Sequence, residues 1–253
     1  MKRYLIAGNF KMNKTISETA EYVNELLKLV PKTKNDVVIC PQYLALEQSV
    51  KLTEGSVVKV GAQNMHWEQN GVYTGEISAE MLKEIGVQYV IIGHSSRREN
   101  DNETDDKVNK KLIKALEVGL IPILCVGETK KERAQNRTYR VLKKQLLLDF
   151  DGITNPERVV VAYEPLWAIS DGKTPAPTPT GAEISAVNSG IKRVLRQMYG
   201  AEVVKKMRIL YGGSVSPSNA AQIMAERSVN GVLVGGACLN AEKFASIVKS
   251  IMK

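Results

Sequence analysis

Eight short apolar runs recur along the chain and constrain its fold more than any other feature of the sequence. Most are followed by a stretch with apolar residues at helical spacing, as Ala20, Val23 and Leu26 show after the first run. The runs span residues 4–7, 37–40, 57–60, 89–92, 121–126, 159–163, 207–211 and 232–234. The pattern predicts a strand followed by a helix, repeated eight times.

Near-continuous apolar strands are buried on both faces, which is typical of a parallel sheet covered by helices. Eight such units in 253 residues favour a closed (β/α)8 barrel over an open doubly wound sheet, which usually has fewer strands. The glycine fingerprint of nicotinamide and flavin folds is absent after the first run, where Gly8, Asn9 and Phe10 follow. No linker or charge block divides the chain, so residues 1–253 are predicted to form one α/β barrel domain.

The net charge of +8 could favour binding of either nucleic acid or a small anionic substrate. The basic residues are scattered over predicted helices without an aromatic-interleaved stripe, as in the pairs Lys110-Lys111, Lys143-Lys144 and Lys205-Lys206. We interpret them as solvated helix faces, which argues against nucleic acid.

Two further absences narrow the class of protein. No apolar run approaches the roughly 18 residues of a membrane span, and the start of the chain turns to Gly8 and Asn9 too early for a signal peptide. A cytoplasmic protein without a membrane partner is therefore expected. Cys40, Cys125 and Cys238 lie far apart and without metal-ligand spacing, so we predict small buried apolar residues and neither a disulfide nor a metal site.

The chemistry of a barrel of this class lies at the carboxyl ends of the strands and in the loops that follow. Those positions bring an acid, a histidine, a lysine and two diglycine loops to a single mouth. The loops at residues 211–214 and 234–237 supply Ser214, Gly235 and Gly236. Because they follow the seventh and eighth strands, they predict a phosphate site built from backbone N–H groups.

Three side chains at this mouth are candidates for catalysis. Glu164 is followed by an apolar segment and a proline-rich run, a composition typical of a lid that would shield the acid from water. Alternatively, the carboxylate could simply cap a backbone N–H or pair with a lysine. His94 alone could be structural, but beside Glu164 and Lys11 it is a candidate electrophile. Lys11 lies close to Asn9 just after a strand, so its ammonium is suited to bind a phosphate. The alternative is an ordinary surface lysine. We interpret His66 as structural or interfacial.

Eight motifs stand in order along the chain: GNFKMN at residues 8–13, AQN at 62–64, GVYTGEIS at 71–78, VIIGHS at 90–95, IPILCVGET at 121–129, AYEPLWAI at 162–169, LYGGSV at 210–215 and GVLVGGA at 231–237. In these motifs the chain resembles the triosephosphate isomerase family over essentially its whole length. The resemblance implies interconversion of dihydroxyacetone phosphate and D-glyceraldehyde 3-phosphate, in glycolysis and gluconeogenesis, without a cofactor.

The resemblance also implies a role for each site residue. Glu164 is similar to the base that moves a proton between C1 and C2, and His94 to the neutral imidazole that polarises the carbonyl through an enediol(ate). Lys11 and Asn9 would stabilise the charged substrate, and Ser170 in the lid would contact its phosphate, together with the diglycine loops.

Two departures from the family's pattern bear on turnover. Ser96 stands where the family has a glutamate that pairs with the active-site lysine, so Lys11 lacks its usual counter-charge. We hypothesise that Glu99 or Asp101 substitutes, or that turnover is reduced. In the lid, Ser170 replaces a glycine, which would cost about 1–2 kcal/mol if a left-handed conformation is needed there.

The resemblance extends to partners and leaves other functions open. The family is dimeric, and the loop of residues 64–78, from Asn64 to Ser78, is similar to the one that docks into the partner subunit. A related isomerase for another small phosphorylated sugar, such as a tetrulose phosphate, is one alternative. A phosphate-binding barrel without turnover is another, against which intact His94 and Glu164 argue.

Overall fold

The computed structural model describes residues 3–169 and 177–251 of the chain. Eight strands form a closed barrel in the order β1 to β8, and each strand is parallel to both of its neighbours. The strands are β1 Leu5–Asn9, β2 Asp36–Cys40, β3 Val58–Ala62, β4 Tyr89–Ile92, β5 Ile121–Val126, β6 Val160–Tyr163, β7 Arg208–Tyr211 and β8 Gly231–Val234. The predicted (β/α)8 barrel is confirmed.

Helices follow the strands and pack against their outer faces. Local sequence sets where several begin: Thr15 caps the first helix and Thr180 the eighth, and Glu18 and Glu183 complete the two capping boxes. The α-helices are α1 Ile16–Leu29, α2 Leu46–Thr53, α3 Ala79–Glu84, α4 Ser95–Asn100, α5 Asp105–Glu117, α6 Lys130–Ala134, α7 Thr138–Asp149, α8 Gly181–Tyr199, α9 Ala201–Lys206, α10 Ala220–Ala225 and α11 Ala241–Lys249. None of the described helices combines the length and hydropathy that a membrane span requires.

The first strand continues two residues beyond its predicted end. The first apolar run ended at residue 7, but Gly8 and Asn9 extend β1 and pair with Ile39 and Cys40 of β2. A side chain at Gly8 would meet Cys238, because an added Cβ would lie 2.9 Å from the Cβ of that cysteine. Glycine is therefore needed there for close packing inside a strand, a use that resembles a turn signal in sequence.

Alternating strand residues form two separate cores. One set fills the barrel interior and includes Leu5, Ala7, Val38 and Ile91, while their neighbours along each strand pack outward against the helices. This alternation follows from the two-residue period of a strand and explains why the runs are apolar throughout. The cysteines Cys40, Cys125 and Cys238 are buried free thiols, as predicted.

A charged cluster lies at the opposite end of the barrel from the candidate site. Asp36, the first residue of β2, is 3% exposed and forms salt bridges with Arg3 at 2.5 Å, Lys59 at 3.0 Å and Arg208 at 2.7 Å. Burial alone would raise the pKa of Asp36, but hydrogen bonds and charges from Lys59 and Arg208 hold that pKa below its ordinary value.

We expect Asp36→Asn to lower the free energy of unfolding at pH 7 by about 3 kcal/mol, because it leaves three cations without their shared carboxylate. The folded-state pKa of Asp36 is depressed, so its stabilisation is complete above the unfolded value of about 3.9 and is lost as the pH falls through the folded value. Denaturant titrations should therefore show a constant difference between the two proteins from pH 7 to about pH 4, and a difference that shrinks as the pH falls further. Asp106→Asn, at an exposed pair with Lys110, is the matched control, and a difference independent of pH would contradict this account.

Candidate active site

A cavity of about 260 Å³ opens at the carboxyl ends of the strands. It brings together every described residue that the sequence predicted for the site, namely Asn9, Lys11, His94, Glu164, Ser214, Gly235 and Gly236. Ser170, the remaining predicted phosphate contact, lies outside the described residues, as do Asp171 and the first part of the proline-rich run. The apolar part of the wall, which was not predicted, comes from Ile169, Val215, Leu233 and Ala237.

The Glu164 carboxylate lies one residue beyond the end of β6 and is 3% exposed. Its backbone N–H donates to the carbonyl of Val126 at 2.8 Å, which extends the strand pairing up to the acid. One carboxylate oxygen accepts a hydrogen bond from the Ser95 N–H at 3.3 Å, and the other lies 3.4 Å from His94 Nε2. A side chain at Gly212 would lie 2.9 Å from Glu164 Cγ, so glycine there makes room for the acid.

The His94 imidazole is oriented by the start of α4. His94 is the N-cap residue, and its Nδ1 accepts a hydrogen bond from the Ser96 N–H at 3.2 Å. An N–H group can only donate, so Nδ1 carries no proton and the neutral ring holds its proton on Nε2. That proton points at the Glu164 side of the cavity.

The Ser96 hydroxyl makes a second contact with the same ring nitrogen. Its Oγ lies 2.9 Å from His94 Nδ1. Because Nδ1 is an acceptor, the hydroxyl donates to it, so Ser96 supports the His94 tautomer through both its backbone and its side chain. The departure from the family's glutamate therefore acts on the histidine.

The Lys11 ammonium is held over the second diglycine loop. Lys11 has a φ of 52°, in the left-handed region, which costs a non-glycine residue about 1–2 kcal/mol. Its N–H donates to Asn9 Oδ1 at 3.0 Å, and its carbonyl accepts from Gln63 Nε2 at 2.9 Å. Lys11 Nζ is 4.0 Å from the point that a Cβ on Gly235 would occupy. Gln63 had no predicted role, although it directly follows β3, which is a typical position for a site residue.

The hypothesis that Glu99 or Asp101 replaces the missing counter-charge of Lys11 is wrong. Asp101 lies 3.5 Å from Arg97, which is four residues earlier on the same helical turn, and Glu99 is exposed. Within residues 3–169 and 177–251, no carboxylate forms a salt bridge with Lys11. The lysine is therefore free to pair with an anion in the cavity.

The two diglycine loops differ in what they offer to a ligand. Gly236 begins a short 3₁₀ helix, Gly236–Leu239, whose first N–H groups have no partner within the helix. The space beside Gly236 is open. Ser214, by contrast, donates both its N–H and its hydroxyl to the carbonyl of Ala168, at 3.0 and 3.1 Å. It ties the loop after β7 to the segment that follows Glu164.

A buried acid outside the cavity anchors that segment. Glu128 is fully buried and accepts hydrogen bonds from Tyr163 Oη at 3.1 Å and Trp167 Nε1 at 3.0 Å. Burial and the Glu128 charge raise the pKa of Tyr163. The guanidinium of Arg133 lies 4.0 Å from the centre of the Trp167 ring. Arg133 also bonds to Glu183 at 2.6 Å, a contact between α6 and α8 that no local sequence pattern indicates.

A second cavity, of about 200 Å³, lies behind Glu164. Glu164 lines both cavities, so its side chain forms part of the wall between them. The rear cavity is also lined by Ser95, Cys125 and Gln145. Burial, followed by the charge of Glu164, raises the pKa of Cys125 well above its ordinary value, so this thiol stays protonated. Across the described residues, no group of three or more His, Cys, Asp or Glu could hold a metal ion.

The loop of residues 64–78 is built on its own aromatic cluster. The His66 ring stacks on Trp67 at 4.1 Å and lies 4.3 Å from the ring of Tyr73. Beneath it, Lys111 is 3% exposed and contacts Glu103 and Asn64 Oδ1. The interpretation of Lys111 as part of a solvated helix face was therefore wrong. The local sequence of a helix does not show which of its lysines will contact a buried acid from another segment.

Comparisons with known proteins agree over nearly the whole chain. A family model described as triosephosphate isomerase matches residues 4–251. The chain is 48% identical to the triosephosphate isomerase of Alkaliphilus metalliredigens, over 98% of this chain and 99% of that protein. It is 50% identical to the triosephosphate isomerase of Clostridium botulinum strain Loch Maree and 47% identical to that of Clostridium perfringens strain SM101, with the same coverage.

Proposed function

The chain belongs to the triosephosphate isomerase family, and we propose that Glu164 and His94 carry out its interconversion of dihydroxyacetone phosphate and D-glyceraldehyde 3-phosphate. The observation that supports this assignment is their placement. A buried carboxylate and the Nε2 of a neutral imidazole lie 3.4 Å apart in one cavity. A base and a proton donor at that separation can act on two adjacent carbons and their oxygens.

In the direction from dihydroxyacetone phosphate, the reaction moves one proton from C1 to C2. A second proton moves from the C1 hydroxyl to the C2 oxygen, so that the hydroxyl and the carbonyl change places. Glu164 takes the proton from the carbon beside the carbonyl, while His94 Nε2–H donates to the carbonyl oxygen as negative charge develops there. The resulting enediol(ate) then receives the proton back from Glu164 on the neighbouring carbon, while the hydroxyl on the first carbon returns its proton to His94 Nε2 and becomes the new carbonyl. Each group ends in the protonation state in which it began, so no other reactant is consumed.

The phosphate is assigned to the side of the cavity formed by Lys11, Gly235 and Gly236. The Lys11 ammonium lies above Gly235, and the 3₁₀ helix that begins at Gly236 presents unpaired N–H groups to the same space. Asn9 Oδ1 is already bonded to the Lys11 N–H, so we assign its amide nitrogen to the substrate. Ser170 is proposed as a further phosphate contact on the resemblance alone.

A coupled assay with D-glyceraldehyde 3-phosphate, repeated with a tetrose 4-phosphate, tests this function against its alternatives. We expect turnover of the triose and weak turnover of the larger sugar, because the cavity measures about 260 Å³. Faster turnover of the tetrose would favour the related isomerase. Binding of either sugar phosphate without turnover would favour the non-catalytic barrel.

Ser96 is predicted to support catalysis through His94. We expect Ser96→Ala to lower kcat about 2–10-fold with little change in KM, since one hydrogen bond of about 0.5–1.5 kcal/mol to Nδ1 is lost while the backbone N–H remains. Ser96→Thr keeps the hydroxyl and should retain most of the activity. Ser96→Glu cannot donate to Nδ1 in its ionised form and should also lower kcat. An unchanged kcat in both Ser96→Ala and Ser96→Glu would show that this position does not limit the chemistry.

We propose that two copies of the chain associate through the loop of residues 64–78. Val72 at its tip is 99% exposed and Tyr73 is 42% exposed, although Trp67 and Tyr73 pack on the ring of His66. Tyr73→Asp should convert a dimer into monomers in sedimentation velocity runs. Leu147→Asp, at a 44% exposed leucine of α7, is the control that should leave the dimer intact. A wild-type protein that sediments as a monomer at micromolar concentration would refute the proposal.

The chain's organisation and compartment are also proposed. One closed barrel, in which β1 pairs with β8, supports residues 1–253 as a single domain. A role in glycolysis and gluconeogenesis supports a cytoplasmic location, which fractionation of the source cells would test.

A further inference from the structure

A groove of about 950 Å³ runs between α7 and α8 on the outside of the barrel. It is more than three times the volume of the catalytic cavity. Its size lies at the upper end of the roughly 300–1,000 Å³ that binding sites for small molecules occupy. The catalytic reaction uses none of it.

The groove carries positive charge that the described residues do not balance. Arg133, Arg193 and Arg196 line it, and none of its described lining residues is acidic. Arg133 has Glu183 as a partner, but neither Arg193 nor Arg196 forms a salt bridge with a carboxylate in the described part of the chain. Burial and the charge of Arg196 lower the pKa of the neighbouring Lys192. Arg193 and Arg196 are three residues apart on α8, so their side chains lie together and can share one polyanion.

The other wall of the groove suits a planar group. Tyr139 is 39% exposed, and the guanidinium of Arg193 lies 4.6 Å from the centre of its ring. Gly190 faces this ring, since a Cβ added there would be 3.5 Å from Tyr139. Glycine inside a helix costs about 1 kcal/mol relative to alanine, and here it lets the Tyr139 ring pack closely against α8.

We propose that this groove binds a nucleoside polyphosphate, with the phosphates on Arg193 and Arg196 and the base against the exposed part of Tyr139. Arginine forks match phosphate oxygens in pairs, and an aromatic ring beside an arginine is a stacking platform for a flat heterocycle. The charge, the ring and the open space lie within one groove, which selects a ligand that carries both a polyanion and a planar ring.

Arg133 connects the groove to the catalytic segment. It lines the groove, bonds to Glu183 on α8 and lies against Trp167, three residues after the catalytic acid. A polyphosphate in the groove would attract Arg133 away from the indole. Occupancy should therefore be visible in the fluorescence of Trp167, which is the only tryptophan left in a Trp67→Phe variant.

The test is a calorimetric titration of the full chain with ATP, beside a fluorescence titration of the Trp67→Phe variant. We expect one site per chain with a Kd on the order of 0.1 mM, a change in Trp167 emission, and binding that saturating dihydroxyacetone phosphate does not displace. Inorganic triphosphate, which lacks the ring, should bind at least several-fold more weakly. Absence of binding, displacement by the triose phosphate, or equal affinity for triphosphate would each overturn the proposal.

Two variants place the site within the groove. Tyr139→Ala should weaken ATP binding at least several-fold and leave the binding of inorganic triphosphate unchanged, a pattern that unfolding would not produce. Arg193→Glu combined with Arg196→Glu should abolish ATP binding. Lys205→Glu combined with Lys206→Glu changes the net charge equally on α9 and should bind as the wild type does. Unchanged ATP affinity in Tyr139→Ala would place the ligand elsewhere. These binding measurements need no turnover, so they stand apart from any test of the isomerase reaction.

Discussion

Glu164→Gln is expected to lower kcat/KM by about 10³-fold, because a positioned general base contributes about 10²–10⁴-fold and an amide cannot accept the substrate proton. The substitution is nearly isosteric, and the amide oxygen can still accept the Ser95 N–H that Glu164 now accepts at 3.3 Å. KM should therefore change little, so the loss should appear in kcat. The coupled assay with D-glyceraldehyde 3-phosphate measures both constants.

Two further variants test whether the loss comes from the position of the carboxylate at residue 164. Glu164→Asp keeps the carboxylate but withdraws it by one methylene, and a misplacement of about 1 Å should cost about 10²-fold. Glu99→Gln alters an exposed acid on the neighbouring helix and should leave turnover unchanged, since Glu99 does not pair with Lys11. Undiminished activity of Glu164→Gln would sink the assignment of the base.

Lys11→Met should produce the second largest loss, of about 10²–10³-fold in kcat/KM. An interaction between a charged donor and a phosphate is worth about 1.5–3 kcal/mol, and truncating one member of a desolvated charge pair costs about 2–5 kcal/mol. No described carboxylate neutralises Lys11, so its charge is available to the substrate in full. Both KM and kcat should suffer, because the developing enediolate adds negative charge to that of the phosphate.

Lys14→Met is the matched control for the lysine. Lys14 also has a left-handed backbone, with a φ of 69°, but its ammonium lies 5.2 Å from the centre of the Tyr22 ring and away from the cavity. The same substitution there tests any general effect of losing a lysine at a strained position. Equal activity of the two variants would show that Lys11 does not contact the substrate.

The fold could be predicted from the sequence because every strand is buried on both faces and therefore appears as an apolar run. The site followed from the same rule, since Glu164, His94 and Lys11 all lie within four residues after such runs and the barrel brings strand ends together. Gly8 shows where the rule fails. A glycine that makes room for Cys238, distant in sequence, looks the same as one that starts a turn.

The features that could not be predicted arise from contacts between segments distant in sequence. Lys111 was interpreted as exposed because its helix looks charged, but Glu103 and Asn64 meet it from two other segments. Arg133 joins Trp167 to Glu183 across three separate elements, and its position in the sequence indicates none of these partners. Ser96 was singled out for what it lacks relative to the family, whereas the structure shows what its hydroxyl contacts.

The position of Glu164 between two cavities has a consequence for inhibitor design. A compound built for the rear space of about 200 Å³, beside Ser95 and Cys125, would reach the carboxylate from the side opposite the substrate. It would need no phosphate mimic, because Lys11 and the diglycine loops do not line that space, so it could remain uncharged and cross cell membranes. Its inhibition would be non-competitive, and rising substrate concentrations during metabolic block would not displace it.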